Sequence, residues 1–120
     1  MNTIVWVDIP VLDIERARRF YSALLDMNLE VKTHNKTTFV PFLHKDDEVA
    51  GCLVEDLNFQ ASQVTGPLVY LNVHGRLDDA LQTINEHGGK ILERKEEIKP
   101  WGYRAIIMDS EGNRIALHSN

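Results

Sequence analysis

Ile4-Val5-Trp6-Val7-Asp8-Ile9-Pro10 alternates strictly, with Val5, Val7 and Ile9 on one side and Trp6, Asp8 and Pro10 on the other. A period of two sends successive side chains to opposite faces of a strand, so the stretch predicts a strand with one face in a core. The pattern returns at Leu68-Val69-Tyr70-Leu71-Asn72-Val73, where Val69, Leu71 and Val73 share one face and Leu68, Tyr70 and Asn72 the other. Val5 aligns with Val69, Trp6 with Tyr70, Val7 with Leu71 and Ile9 with Val73, an offset of about 64 positions. Self-similarity at a fixed offset is the mark of a duplicated unit.

Each copy is followed by the same succession of elements. Asp13 is placed to cap a helix over 13–26, whose apolar stripe is Ala17, Phe20, Tyr21, Leu24 and Leu25. Three short β-prone runs follow at 29–33, 37–43 and 49–55, broken at His34–Lys36 and Lys45–Glu48. In the second copy Leu77, Ala80, Leu81 and Ile84 predict a helix over 76–87, closed by Gly88-Gly89 in a left-handed turn. Strands are expected at 90–97, 102–109 and 114–119, with Asp109-Ser110-Glu111-Gly112-Asn113 as the turn before the last. The expected fold is α+β: two βαβββ modules forming a curled mixed sheet around a cavity, helices on the outer face. Module one covers about 1–56, a connector about 57–67 and module two about 68–120, all in a single domain, as the 120-residue length suggests.

Composition excludes several function classes. The net charge of −5 and the scatter of the basic residues argue against a nucleic-acid partner. Arg16, Arg18 and Arg19, beside Glu15, read as a solvated helix face. No run approaches the roughly 18 apolar residues of a membrane span, and the first residues lack the pattern of a signal peptide, so no membrane partner and a cytoplasmic location are expected. The one cysteine, Cys52, permits no internal disulfide and reads as a buried small residue.

Asp13-Ile14-Glu15-Arg16-Ala17-Arg18-Arg19-Phe20-Tyr21 with Leu24-Leu25, then Gly88-Gly89-Lys90-Ile91-Leu92, then Asp109-Ser110-Glu111-Gly112-Asn113-Arg114-Ile115 occur in that order. Together these segments resemble the vicinal oxygen chelate superfamily, in its branch of small bacterial glyoxalase-like proteins related to bleomycin-resistance proteins and dioxygenases. The last departs from the usual turn by Ser110 in place of proline. The resemblance implies the fold more strongly than any reaction, because the superfamily holds glyoxalases, fosfomycin-resistance transferases, dioxygenases, epimerases and drug-sequestering binders. It also implies a homodimer in which modules of two chains complete each cup.

Metal-dependent members carry ligands on the first, fourth, fifth and eighth strands. Carried over, those positions fall on Trp6, somewhere within Gly51–Glu55, on Leu68 or Tyr70, and on Ala116. Trp, Leu and Ala do not ligate divalent ions, so no cofactor is expected at the usual centre. His34, His44, His74 and His87 read as loop or element-end histidines, and no HxH or HxxxH pair occurs.

Alternation then supplies a set of cavity-facing residues. Asp8 and His118 are the candidate catalytic groups, Asp8 because a carboxylate in mid-strand has to be solvated, paired or functional. If their strands are neighbours, Asp8, Asn72 and His118 form a polar cluster. Trp6 and Tyr70 are candidate stacking walls, Asn72 and Arg104 orient a polar group, and Trp101 stands in a loop at the mouth. Glu93, Glu96 and Glu97, alternating with Arg94, Lys95 and Lys99, read as a solvated edge strand. Three functions stay open on these residues: a small-molecule-binding protein or enzyme without the usual metal, a sequestering binder that performs no chemistry, and a lyase or dioxygenase with displaced metal ligands.

Overall fold

The computed structural model describes residues 2–62 and 64–120. The elements run β1 (Trp6–Pro10), α1 (Ile14–Leu25), β2 (Lys32–His34), β3 (Thr37–Pro41), β4 (Ala50–Glu55), β5 (Val69–Asn72), α2 (Leu77–Glu86), β6 (Lys90–Glu97), β7 (Tyr103–Met108) and β8 (Arg114–Ser119). Each βαβββ unit contributes one four-stranded mixed sheet, in the orders β1-β4-β3-β2 and β5-β8-β7-β6. In both, the first strand pairs parallel with the last, and the other pairings are antiparallel. No helix among the described residues is long and apolar enough to cross a membrane.

Local chemistry accounts for the boundaries. The Asp13 side chain accepts from the Arg16 N–H at 3.0 Å and starts α1, and Asp26, in the left-handed region at φ 53°, ends it. Asn35 and Lys36 both have positive φ, the two-residue turn whose twist suits a hairpin, and join β2 to β3. Gly88 takes the left-handed turn after α2. Gly89 serves a different end from the one expected: a Cβ there would stand 2.6 Å from the Phe20 ring and 2.7 Å from the Met108 carbonyl oxygen. It is a point of close approach rather than a second left-handed residue.

Ala17, Phe20, Tyr21 and Leu24 of α1 and Leu77, Ala80 and Ile84 of α2 join Ile9, Val40, Leu53, Leu71, Ile107, Ile115 and Leu117 in one apolar core. Burial of these side chains is the main force behind the fold. Val5 was expected on this face and is not there. Pairing with β4 begins at Trp6, so Val5 precedes the sheet and is 77% exposed.

The hairpin between β7 and β8 ties the two units together. Asp109, Glu111 and Asn113 are all buried. One Asp109 oxygen accepts from the N–H groups of Glu111 and Asn113, and the other accepts from the Tyr21 hydroxyl at 2.5 Å and the Asn113 amide at 2.9 Å. The Asn113 amide also donates to the Pro10 carbonyl at the end of β1. Glu111 accepts from the N–H groups of Leu12 and Asp13 at 2.9 and 2.7 Å, from Arg16 through Nε and Nη2, and from the Ser110 hydroxyl. Arg16 is therefore not part of a merely solvated face, as Arg18 and Arg19 with Glu15 are. Burial alone pushes the Glu111 carboxyl up, but Arg16 and these N–H donors outweigh it and hold it below the ordinary glutamate value. Burial raises the Tyr21 hydroxyl well above its ordinary value, and neighbouring Asp109 adds to the rise.

Glu111→Gln keeps the shape and removes the charge that Arg16 and two backbone donors face. It is expected to cost about 2 kcal/mol at pH 7, the scale of hydrogen bonds to a charged group. A carboxyl depressed in the folded state stabilises above its unfolded pKa of about 4.3, and the contribution is lost as pH falls through the folded value. Thermal melts of both proteins should show their largest separation at pH 7, and the separation should close as pH falls below the ordinary glutamate range. A constant separation would mean that the charge is not what stabilises.

Candidate functional site

The central position of β8 in its sheet assembles the site. Its register sets Tyr70, Ala116 and Ile106 side by side across β5, β8 and β7, with Asn72, His118 and Arg104 in the next row on the same face. Glu93 and Glu96 of β6 continue these rows opposite Ile106 and Arg104. The alternate rows, Val69-Ile115-Ile107 and Leu71-Leu117-Ala105, turn to the core. A side chain at Ala116 adds little bulk between Tyr70 and Ile106. Beside it the sheet carries a cleft of about 620 Å³ lined by Tyr70, Asn72, Ile98, Trp101, Arg104 and His118.

These groups are held in place. Arg104 donates through Nη1 to the Tyr70 hydroxyl at 2.8 Å and through Nη2 to Glu96 at 2.9 Å, two contacts that raise its pKa. Its Nε is buried without a hydrogen-bond partner among the described residues. The Asn72 carbonyl oxygen accepts from the His74 N–H. Trp101 is 69% exposed, yet its loop is fixed: Trp101 N–H donates to the Ile98 carbonyl, the Ile98 N–H to the Gly102 carbonyl, and the His118 ring bonds the Trp101 carbonyl through Nε2. Since a carbonyl only accepts, His118 carries its proton on Nε2.

Trp6 and Asp8 belong to the other sheet. β1 pairs with β4 and not with β8, so the cluster of Asp8 with Asn72 and His118 does not form within the chain. Asp8 lies opposite Cys52, accepting from the Trp6 indole at 3.1 Å and from the Cys52 thiol at 3.2 Å. His44 meets Trp6 edge-on with ring centroids 5.3 Å apart. A second groove of about 410 Å³ runs past Trp6, Asp8 and Pro10 toward Phe59, Pro67 and Arg114. Of the seven expected site residues, the structure brings together Tyr70, Asn72, Trp101, Arg104 and His118 and sets Trp6 and Asp8 apart.

The positions at which the resemblance places metal ligands do not make a ligand set. Ala116 and Trp6 offer no donor atom for a divalent ion, and the Tyr70 hydroxyl already accepts from Arg104. Among the described residues no three His, Cys, Asp or Glu side chains are grouped to hold an ion.

Sequence reasoning missed four contributors. Glu93 and Glu96 are not merely solvated, since they pair with Arg114 and Arg104. Their spacing of three in a strand conceals that both continue the rows of Ile106 and Arg104, because the register shifts between them. Ile98 emerges only once the loop is closed. Cys52 as a donor to Asp8 needed the parallel register of β1 and β4, which no local pattern displays.

The sequence model described as Glyoxalase/Bleomycin resistance protein/Dioxygenase superfamily matches residues 3–117. No curated protein matches the chain. Among solved structures, the chain is similar to a glyoxalase/bleomycin resistance protein from Albidiferax ferrireducens T118, with 21% identity, a TM-score of 0.71 and 99% of each chain covered. It is similar to a genomically encoded fosfomycin resistance protein from Listeria monocytogenes, with 16% identity, a TM-score of 0.68, and 100% of this chain and 92% of that one covered. A glyoxalase I mutant from Zea mays gives 21% identity and a TM-score of 0.68 over 96% of this chain, which spans 45% of the maize chain. At these identities the likeness is one of fold.

Burial first, then the bond to Asp8, push the Cys52 thiol up to about 11, against a smaller opposing effect of Trp6. Only the thiolate is nucleophilic. At pH 8 the native protein should therefore react with iodoacetamide roughly 100-fold more slowly than the unfolded chain, whose thiol has a pKa near 8.5. Comparable rates in the two states would contradict the buried, Asp8-bonded thiol.

Proposed function

From the premise that this chain belongs to the Glyoxalase/Bleomycin resistance protein/Dioxygenase superfamily, we propose that it is a small-molecule-binding protein that works without the metal centre and performs no chemistry of its own. The observation that carries this reading is the cleft on the β5–β8–β7 face, lined by Tyr70, Asn72, Ile98, Trp101, Arg104 and His118. A mostly apolar concave site with a few fixed polar groups is the usual form of a small-molecule pocket. Tyr70, Asn72, Trp101, Arg104 and His118 are the binding residues of this reading. Trp6 and Asp8 have a supporting role on the opposite sheet, where Asp8 accepts from the Trp6 indole and the Cys52 thiol.

The protein acts as a homodimer in this reading. β1 and β5 end their sheets as unpaired edges, and Ile4, Val5 and Trp6 expose apolar surface beside the first of them. Such surface favours a partner over water.

Metal dependence is tested on tag-free protein by elemental content and by melting with Ni²⁺, Mn²⁺, Fe²⁺, Co²⁺ and Zn²⁺ in turn. An ion held at roughly a hundred times its dissociation constant adds about 2.7 kcal/mol, or roughly 10 °C for a chain of this size. The proposal expects sub-stoichiometric metal and no such shift. One ion per chain with clear stabilisation would overturn it. Light scattering on the eluting protein should give twice the mass of the 120-residue chain, and a monomer at micromolar concentration would refute the dimer.

A further inference from the structure

Resting on the binding reading above, we infer that the cleft on the β5–β8–β7 face recognises a flat aromatic carboxylate, its anionic end on Arg104, Tyr70 and Asn72 and its ring against Trp101. Of the four polar side chains lining it, Tyr70, Asn72 and Arg104 present donors, and His118 turns its Nε2 to the Trp101 carbonyl. The Tyr70 oxygen accepts from Arg104, which leaves its own proton free to give. The Asn72 oxygen is taken by the His74 N–H, which leaves the amide NH₂. The Arg104 guanidinium is positive, and its Nε, buried from solvent, has no partner among the described residues. Among the described residues no carboxylate is part of the cleft lining, although Glu96 reaches Arg104 from outside it. A rim of donors around a cation matches a ligand end that only accepts, and a carboxylate does so with charge as well as geometry.

Glu96 is the internal occupant of the guanidinium. It bonds Arg104 from the solvent side and its side chain is half exposed, so the pair is weak. A ligand carboxylate arriving through the cleft would compete with Glu96 for the same guanidinium edge and gain Tyr70 and Asn72 besides. The aromatic part follows from Trp101. Trp101 is 69% exposed beside the cleft, on a loop whose backbone is held by three hydrogen bonds. An uncovered aromatic face on an ordered loop is suited to stacking, and a flat ring loses little entropy on meeting it.

The experiment is calorimetric titration of the full chain with cinnamate, with the neutral cinnamyl alcohol and with acetate. The expected result is saturable binding of cinnamate, at least roughly tenfold weaker binding of the alcohol, and no measurable binding of acetate. Arg104→Gln should weaken cinnamate by roughly tenfold and leave the alcohol unchanged, and Trp101→Ala, at an exposed loop position, should weaken both. Glu96→Gln should tighten cinnamate by removing its competitor, a gain that a merely damaged fold would not give. Equal binding of acid and alcohol would overturn the anion assignment while leaving a small-molecule cleft in place. Failure of all three probes would overturn the ligand class, and the broader binding reading would then rest on a fragment screen read by the same calorimeter.

Discussion

Glu111, buried between the two units, is the constraint on which the rest of the structure depends. Its carboxylate gathers Arg16 and the first free N–H groups ahead of α1, and two residues away on either side Asp109 and Asn113 take up Tyr21 and the end of β1. The hairpin thus holds the first unit by polar bonds as the shared apolar core holds it by burial. It also fixes the start of β8, the strand that brings Tyr70, Asn72, Arg104 and His118 onto one face. A charge buried this way stabilises only because it is fully satisfied, so the latch is specific as well as strong.

The order of elements was legible in the sequence because periods of two and 3.6 are local properties. The helix caps and turns were legible for the same reason, through Asp13 and Asn113 and their neighbours. Two things escaped a local reading. Val5 keeps the alternation of β1 but lies beyond the pairing with β4, and alternation carries no information on where pairing stops. The turn at 109–113 announced its shape and not its partners, because Arg16 and Pro10 lie about a hundred residues away along the chain.

The candidate site was half legible. Parity placed Tyr70, Asn72 and His118 on one face, while the row of Arg104 emerges only from the register of β7 with β8, which sets it beside His118. Neighbourhood is a different quantity from parity. The parallel pairing of β1 with β4 sends Asp8 to Cys52, and the pseudo-symmetric Trp6 and Tyr70 end on separate sheets. The two faces have since taken different chemistry: one ties its carboxylate to an indole and a thiol, and the other presents donors around a guanidinium. That divergence within one duplicated fold agrees with a family whose reactions vary far more than its architecture.

The central claim, that binding belongs to the β5–β8–β7 face, is tested most directly by nuclear magnetic resonance of the ¹⁵N-labelled protein titrated with cinnamate. The account predicts amide shifts concentrated in β5, β7, β8 and the loop at 98–102, with the Trp101 indole among the strongest. Shifts centred instead on Trp6, Asp8 and Cys52, with the Arg104 row silent, would contradict it.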